Sequence, residues 1–212
     1  RDENSGRFWS PTPLPRRGAA PYVTRHGFGY SVFEHTEDGI QSELWVYVAT
    51  DAAVKFSVLK VRNLSGRPRR LSATGYVEWV LGDLRPGSAM HVGTEIDPYS
   101  GAIYARNLYN TECPDRVAFF DVDDADRTIS CDRVEFIGRN GSLGHPAAMT
   151  RTHLSGRLGT GLDPCAAIQV GFDLADGQER QITFRLGLGG IPGGDDAHRM
   201  VHRWRGADAA EL

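Results

Sequence analysis

Cleaving a glycosidic bond takes two carboxyl groups, one to protonate the leaving oxygen and one to act on the opposite face of the sugar. Glu78, Asp83 and Glu95 are the carboxylates whose positions could serve, but no spacing brings them together and Glu78 falls on the polar side of an alternating segment. Asp121, Asp123, Asp124 and Asp126 crowd one short stretch like the acids of a calcium loop. They lack the central glycine and distal bidentate glutamate such a loop requires, so a solvated hairpin tip accounts for them better. His26, His35, His91, His145 and His153 are scattered without ligand spacing, and surface or internally satisfied histidines explain them better than a metal centre. Neither a metal nor a cofactor is expected. The chain has no HExxH, GxSxG or GxxxxGK[ST] pattern, and the glycine-rich run 187–194 lacks a basic residue, so it reads as a loop. Trp9, Trp45, Trp79 and Trp204 could stack on sugar rings, although packing in a core is the default for such residues.

The most suggestive segment is Gly138-Arg139-Asn140-Gly141-Ser142-Leu143-Gly144-His145-Pro146. Three glycines and a proline in nine residues give it an irregular, exposed path between two strand regions. Arg139 and Asn140 supply planar, multi-donor side chains suited to sugar hydroxyls or phosphate, with His145 nearby in the same loop. A surface turn with a merely solvated arginine is the competing reading.

The elements that must hold these residues are strands. Successive side chains of a strand point to opposite faces, so a period of two marks one. That period runs through Ile40–Val48, Leu71–Leu81, Ile168–Leu174 and Ile182–Leu186. Strands are expected near 28–35, 40–48, 54–62, 70–81, 102–107, 117–121, 128–137, 167–174 and 179–187. Glu37-Asp38-Gly39 and Asp176-Gly177-Gln178 read as hairpin turns, and 63–68 joins two strand patterns. Several strands are apolar on both sides, as where Trp45 and Tyr47 interleave with Leu44 and Val46, which argues for two packed sheets. No long 3.6-residue period precedes residue 193, which excludes crossover helices and a parallel sheet. After the breaker run ending at Gly194, Asp195 or Asp196 could cap a helix with Met200, Val201 and Trp204 on one side. So short a terminal helix is expected to bury its stripe poorly and to leave it exposed.

A chain of 212 residues is long enough for one substantial core, about 70% of its unfolded surface being buried on folding. A net charge of −3 excludes a generic polyanion-binding role, and nucleic acid is not an expected partner. Lys55 and Lys60 are the only lysines, the other basic residues being arginine. Cys113, Cys131 and Cys165 are an odd number without CxxC spacing, so reduced thiols are expected rather than a disulfide framework or a zinc site. No apolar run approaches the roughly 20 residues of a membrane span. The start at Arg1 and the short terminal helix read as those of a piece excised from a longer protein.

The blocks RHGFGYSVFE (25–34), GIQSELWVYV (39–48), VKFSVLKVRNLSGRPRRLSATGYVEWVLGD (54–83), DRVEFIGRNGSLGHPAAM (132–149) and LSGRLGTGLDPCAAIQVGFDL (154–174) carry a resemblance. In this order and spacing they resemble the N-terminal sandwich domain of the inverting glycoside phosphorylases, such as cellobiose and chitobiose phosphorylase. EWVLG, ARNLYN, EFIGRNG and GLDPCAA are more similar still to the phosphorylase-like region of cyclic β-1,2-glucan synthases. The resemblance spans roughly residues 25–190. It implies an all-β fold, a large two-sheet antiparallel β-sandwich or supersandwich, with a short C-terminal helix beginning a linker. The implied divisions are an extended arm over 1–25, the sandwich over 26–190, and over 191–212 the start of a helical linker to a catalytic helical barrel.

In that family phosphate attacks the anomeric carbon and an aspartate on the barrel is the general acid, so the chain alone is expected to be no enzyme. Its implied role is to support the barrel and contribute to glucan binding. The alternatives are a stand-alone carbohydrate-binding module and a glycosidase with unrecognised carboxylates. The implied partners are the barrel of the same parent chain, a β-1,2-glucan or other β-glucoside, and a second copy in a homodimer. The implied place is a cytoplasmic domain, with an inner-membrane protein as one form of the parent. Loop 138–146 is then expected to reach the active site, with Arg139, Asn140 and His145 as its contacts and no catalytic residue in the chain.

Overall fold

The alternating segments become eleven strands in a computed structural model, which describes residues 1–205. In chain order they are β1 (Tyr22–His26), β2 (Tyr30–Glu37), β3 (Ile40–Val48), β4 (Val54–Asn63), β5 (Arg69–Glu78), β6 (Val92–Ile96), β7 (Ile103–Asn107), β8 (Val117–Val122), β9 (Arg127–Asp132), β10 (Pro164–Leu174) and β11 (Glu179–Gly189). Three short helices punctuate them: α1 (Arg85–Ser88), α2 (Arg133–Ile137) and α3 (Ala197–Trp204), with 3₁₀ turns at Ala89–His91 and Ala147–Thr150. An eight-stranded sheet runs β1-β2-β3-β4-β11-β8-β7-β6 and a three-stranded sheet runs β5-β10-β9. Every strand pairing is antiparallel. The protein is a two-sheet antiparallel sandwich with a short C-terminal helix, and its sheets are unequal.

The main core lies between the sheets. Ile40, Val61, Ile103, Phe120 and Phe184 of the large sheet meet Leu71, Ile129, Ile168, Val170 and Phe172 of the small one. Gly75 in β5 is required by this packing, since a Cβ there would stand 2.6 Å from the Phe184 ring and 2.7 Å from that of Phe120.

Several expectations are corrected. Asp38 and Gly39 both take left-handed φ (50° and 75°) and join β2 to β3 in the hairpin their sequence announces. Asp176-Gly177-Gln178 is no hairpin: β10 lies in the small sheet and β11 in the large one, so the chain changes sheet there. The 63–68 turn crosses in the other sense, from β4 to β5. The two crossings lock together, because the Asn63 amide donates to the Leu174 carbonyl (3.0 Å) and the Gly66 N–H to Asp176 Oδ1 (2.8 Å). Two strands were not foreseen: β1, in the segment read as extended arm, and β6. The expected strand 128–137 stops at Asp132 and continues as α2.

The exposed terminal stripe is overturned as well. Asp196 caps α3 by accepting from the Arg199 N–H (2.8 Å), and Ala197, Met200, Val201 and Trp204 are all buried. They pack on the outer face of the large sheet against Val54, Phe56, Tyr104 and Phe119, with Trp204 edge-on to Phe56. The short helix succeeds because strands that are apolar on both sides offer it a partner. Of the segment 191–212 read as a linker, residues 206–212 lie outside the described part of the chain.

Candidate functional site

The loop 138–146 begins where α2 ends. Asp132 caps α2 by accepting from Val134 N (3.0 Å) and Glu135 N (3.4 Å), which starts a helix directly at the end of a strand. Gly138 ends it with φ 92°, a backbone region that excludes most side chains. Gly141 is packed so closely that a Cβ would lie 2.0 Å from the Ile137 carbonyl oxygen. Ser142 and His145 then bridge across a tight turn, closed by His145 N–H to Ser142 O at 3.0 Å. The loop is therefore held at its base, and the N-terminal arm holds its far side. There the Arg16 guanidinium contacts His145 Nε2 and lies over the Phe8 ring at 5.4 Å.

Of the three residues expected to touch a ligand, Arg139 and Asn140 sit together on the exposed tip after Gly138. Neither side chain has a hydrogen-bond or ion-pair partner among the described residues. His145 is exposed but already engaged by Arg16. The structure thus leaves one guanidinium and one amide available on a braced backbone, and gives the imidazole a bracing contact.

The carboxylates weighed for acid–base work do not converge. Glu78, at the end of β5, shares two arginines with Asp163. Arg85 reaches Glu78 (2.9 Å) and Asp163 (2.5 Å), and Arg133 reaches Glu78 (2.8 Å) and Asp163 (3.3 Å). Tyr76 adds a hydroxyl donor to Glu78 at 2.8 Å. Burial pushes the Glu78 pKa upward, but hydrogen bonds from Arg133 and Tyr76 and the charge of Arg85 outweigh it, leaving the carboxyl below its ordinary value. Such a group is a fixed anion and a poor proton donor at neutral pH. Glu95 pairs instead with Arg106 on β7 (3.2 Å), and Asp83 is exposed between β5 and α1.

One constellation went unread in the sequence. Asp121, taken above for part of a solvated tip, is completely buried in β8. It accepts from Arg205 (2.7 and 3.2 Å) and Arg127 (3.4 Å), with Arg185 at 3.9 Å. Arg185 is also completely buried; it pairs with Asp123 at 2.6 Å and lies 5.9 Å over the Phe56 ring. Burial lifts the Asp121 carboxyl above its ordinary value, against the pull of Arg205, Arg127 and Arg185. Only Asp123, Asp124 and Asp126 belong to the turn after β8. The signal was the excess of arginine, but its members lie at 127, 185 and 205, far apart in sequence.

The remaining aromatic and sulfur side chains take structural places. Trp79 and Trp204 are buried, Trp9 packs on the main core, and Trp45 donates its indole N–H to Glu43 (2.6 Å) while stacking on Tyr30. Cys113, Cys131 and Cys165 carry no disulfide, and burial pushes the Cys131 thiol up to about 11. Among the described residues no three His, Cys, Asp or Glu side chains gather as a metal site would need, and no helix is long and apolar enough to cross a membrane.

Comparison with known proteins identifies the family of the fold. The family model described as "Glycosyl hydrolase 94, supersandwich domain" matches residues 1–207. The chain is 38% identical over 189 residues to the cyclic beta-(1,2)-glucan synthase NdvB of Rhizobium meliloti, covering 88% of the chain and 7% of that protein. It is 28% identical over 205 residues to an N,N'-diacetylchitobiose phosphorylase of Vibrio furnissii, covering 89% of the chain and 24% of that enzyme. It is also 28% identical over 196 residues to a cellobionic acid phosphorylase of Neurospora crassa, with 88% and 24% covered. The chain therefore spans a quarter or less of each relative.

Proposed function

Because the chain belongs to the glycosyl hydrolase 94 supersandwich family, we propose that it is the non-catalytic sandwich of a larger enzyme of the glycoside phosphorylase or cyclic glucan synthase type. In this reading it supports the catalytic part of the same parent and lends polar contacts to a β-1,2-glucan or related β-glucoside. The observation that carries the reading is the family match over residues 1–207. The state of Glu78 supports its non-catalytic half, since direct displacement by phosphate still needs an acid for the leaving oxygen. The free donors Arg139 and Asn140, on a loop whose backbone is fixed at both sides, support its binding half. A fixed backbone reduces the ordering cost of each contact made.

The test is Arg139→Ala with Asn140→Ala in the full-length protein, assayed for phosphorolysis of β-1,2-glucan. Losing two such hydrogen bonds, one from a charged donor, costs about 2–4.5 kcal/mol, so kcat/KM should fall by roughly thirtyfold to a thousandfold or more. Unchanged kinetics with the fold intact would reduce the loop to a turn. Release of glucose 1-phosphate by residues 1–212 alone would sink the non-catalytic half independently.

A further inference from the structure

The geometry points to a second carbohydrate subsite on the outer face of the three-stranded sheet, in a polar basin floored by Gln169 and Gly171. Along β10, Ile168, Val170 and Phe172 face the core, so Ala167, Gln169, Gly171 and Asp173 face outward. Ala167 is roofed by Phe136, Ile137, Ala148, Met149 and Leu154, from α2 and the segment after it. That roof does not extend to Gly171, which is exposed. The uncovered remainder forms a basin of about 360 Å³, walled by Glu3 and Asn4 of the arm and by Thr152 and His153. Its volume lies at the lower end for small-ligand sites and suits about one or two hexose rings.

Two independent observations mark this floor as more than leftover surface. Gly171 sits in mid-strand, where glycine weakens a sheet and often marks a bulge, a tight bend or a site where another group approaches the backbone closely. No group of the protein does: a Cβ at Gly171 would meet nothing within 4 Å, and its φ is not left-handed. Beside it, Gln169 is 3% exposed and lines the basin. Its Oε1 accepts from Thr128 Oγ1 at 3.3 Å, but its Nε2 has no partner among the described residues. That atom has almost no exposed surface, so the side chain must swing toward the basin for a ligand hydroxyl to accept from it, which would relieve the cost of an unpaired buried donor.

The lining selects the occupant. Arg70 and Asp173 lie opposite each other in register, and around them Arg127 stands against Glu3 and Asp126, so the lining is close to balanced and offers no strong field to hold an ion. The apolar members, Leu71 and Phe172, are buried, and none of the large exposed hydrophobic residues borders the basin. A protein partner would need an apolar centre at its interface, which is missing. Interleaved donors and acceptors around a neutral floor suit the hydroxyls of a sugar. The basin stands on its own observations, whereas naming a glucosyl ligand rests on the carbohydrate function proposed above.

Titration of the ¹⁵N-labelled chain with sophorose, the β-1,2-linked glucose disaccharide, tests the site. Amide shifts should cluster at Ser72, Thr128, Gln169 and Gly171 and saturate by about 50 mM. A Cβ at Gly171 meets nothing within 4 Å, so Gly171→Tyr is expected to enter the basin, weakening binding at least tenfold with an unchanged melting temperature. Gln169→Met, which keeps the side-chain length but removes the amide, should weaken binding severalfold and serves if the tyrosine variant folds poorly. Absence of shifts at these residues, or binding indifferent to both substitutions, overturns the subsite. So do shifts that follow protein concentration rather than sugar, since a second copy would then be the occupant. A loss of phosphorolysis on changing Arg139 and Asn140, with no sophorose shifts at the basin, would remove this subsite and leave the loop's role standing.

Discussion

Both outer faces of the sandwich carry a helix, and each helix combines an apolar stripe with an arginine–carboxylate anchor. On the large sheet, α3 buries Ala197, Met200, Val201 and Trp204, and Arg205 just beyond it grips Asp121. On the small sheet, α2 buries Phe136 and Ile137, and its first residue, Arg133, grips Glu78 and Asp163. The anchors share chemistry and differ in burial. Asp121 and Arg185 are wholly inaccessible, while the side chains of the Glu78 ring keep 24–37% of their surface. Water therefore screens the Glu78 ring throughout, but reaches the Asp121 network only at its outer members Arg205 and Asp123. Coverage differs in the same sense: α3 lies over fully buried rings such as Tyr104 and Phe119, whereas α2 leaves Gly171 exposed. One face is closed by its helix, and the other keeps an open basin beside its helix.

The sharpest way to break this contrast is Asp121→Asn. It preserves the shape and removes the charge that Arg127, Arg185 and Arg205 share, leaving Arg185 with Asp123 alone. Removing one partner of a buried network costs about 3–5 kcal/mol. Urea denaturation of the wild-type and variant chains measures it, and a loss below about 1 kcal/mol would deny the centre its structural role. Trp204→Ala should cost somewhat less, about 3 kcal/mol, through the cavity left over Phe56. Hydrogen exchange would locate the damage, with α3 amides losing protection first and β10 amides unaffected.

Much of this plan was legible in the sequence, and what was hidden depended on long-range partners. Alternation exposes β2 to β5, β10 and β11 because one side chain in two must enter a core. It cannot say which sheet receives a strand. Asp176-Gly177 announces a turn, but the partner that braces the crossing, Asn63, lies more than 100 residues earlier. Val134 and Phe136, two residues apart, imitate a strand; the counter-signal was Asp132 with Glu135 three positions on, a helix-start pattern. The docking of α3 was foreshadowed by Phe56 and Val58 alternating with Ser57 and Leu59, a strand apolar on both faces and so covered on both. For the candidate site, glycine spacing revealed an irregular loop at 138–146 but not its bracing by Arg16, and nothing local marked Gln169.

The smallest effect is expected at the half-exposed ring, and its pH dependence sharpens the comparison most. Glu78→Gln keeps the hydrogen bond with Tyr76 possible and removes one of the two carboxylates that face Arg85 and Arg133. Partial exposure limits the loss to about 0.5–1 kcal/mol, equivalent to roughly 1–4 °C in melting temperature for a chain of this size. The Glu78 pKa is lowered on folding from an ordinary 4.5, so the ionised form favours the folded state. That contribution is complete above about pH 5, declines as pH falls through 4.5, and vanishes below the folded value. The absolute stability of the wild type will fall in the same acid range, because Asp2, Glu37, Asp97 and Glu135 are also lowered on folding. The informative quantity is therefore the difference between wild type and Glu78→Gln, followed by thermal melts from pH 7 to pH 3. It should be constant down to about pH 5 and then close toward zero. A gap that stays constant to pH 3 would mean that the substitution acts through packing around Tyr76, and a gap as large as that of Asp121→Asn would erase the distinction between the two anchors.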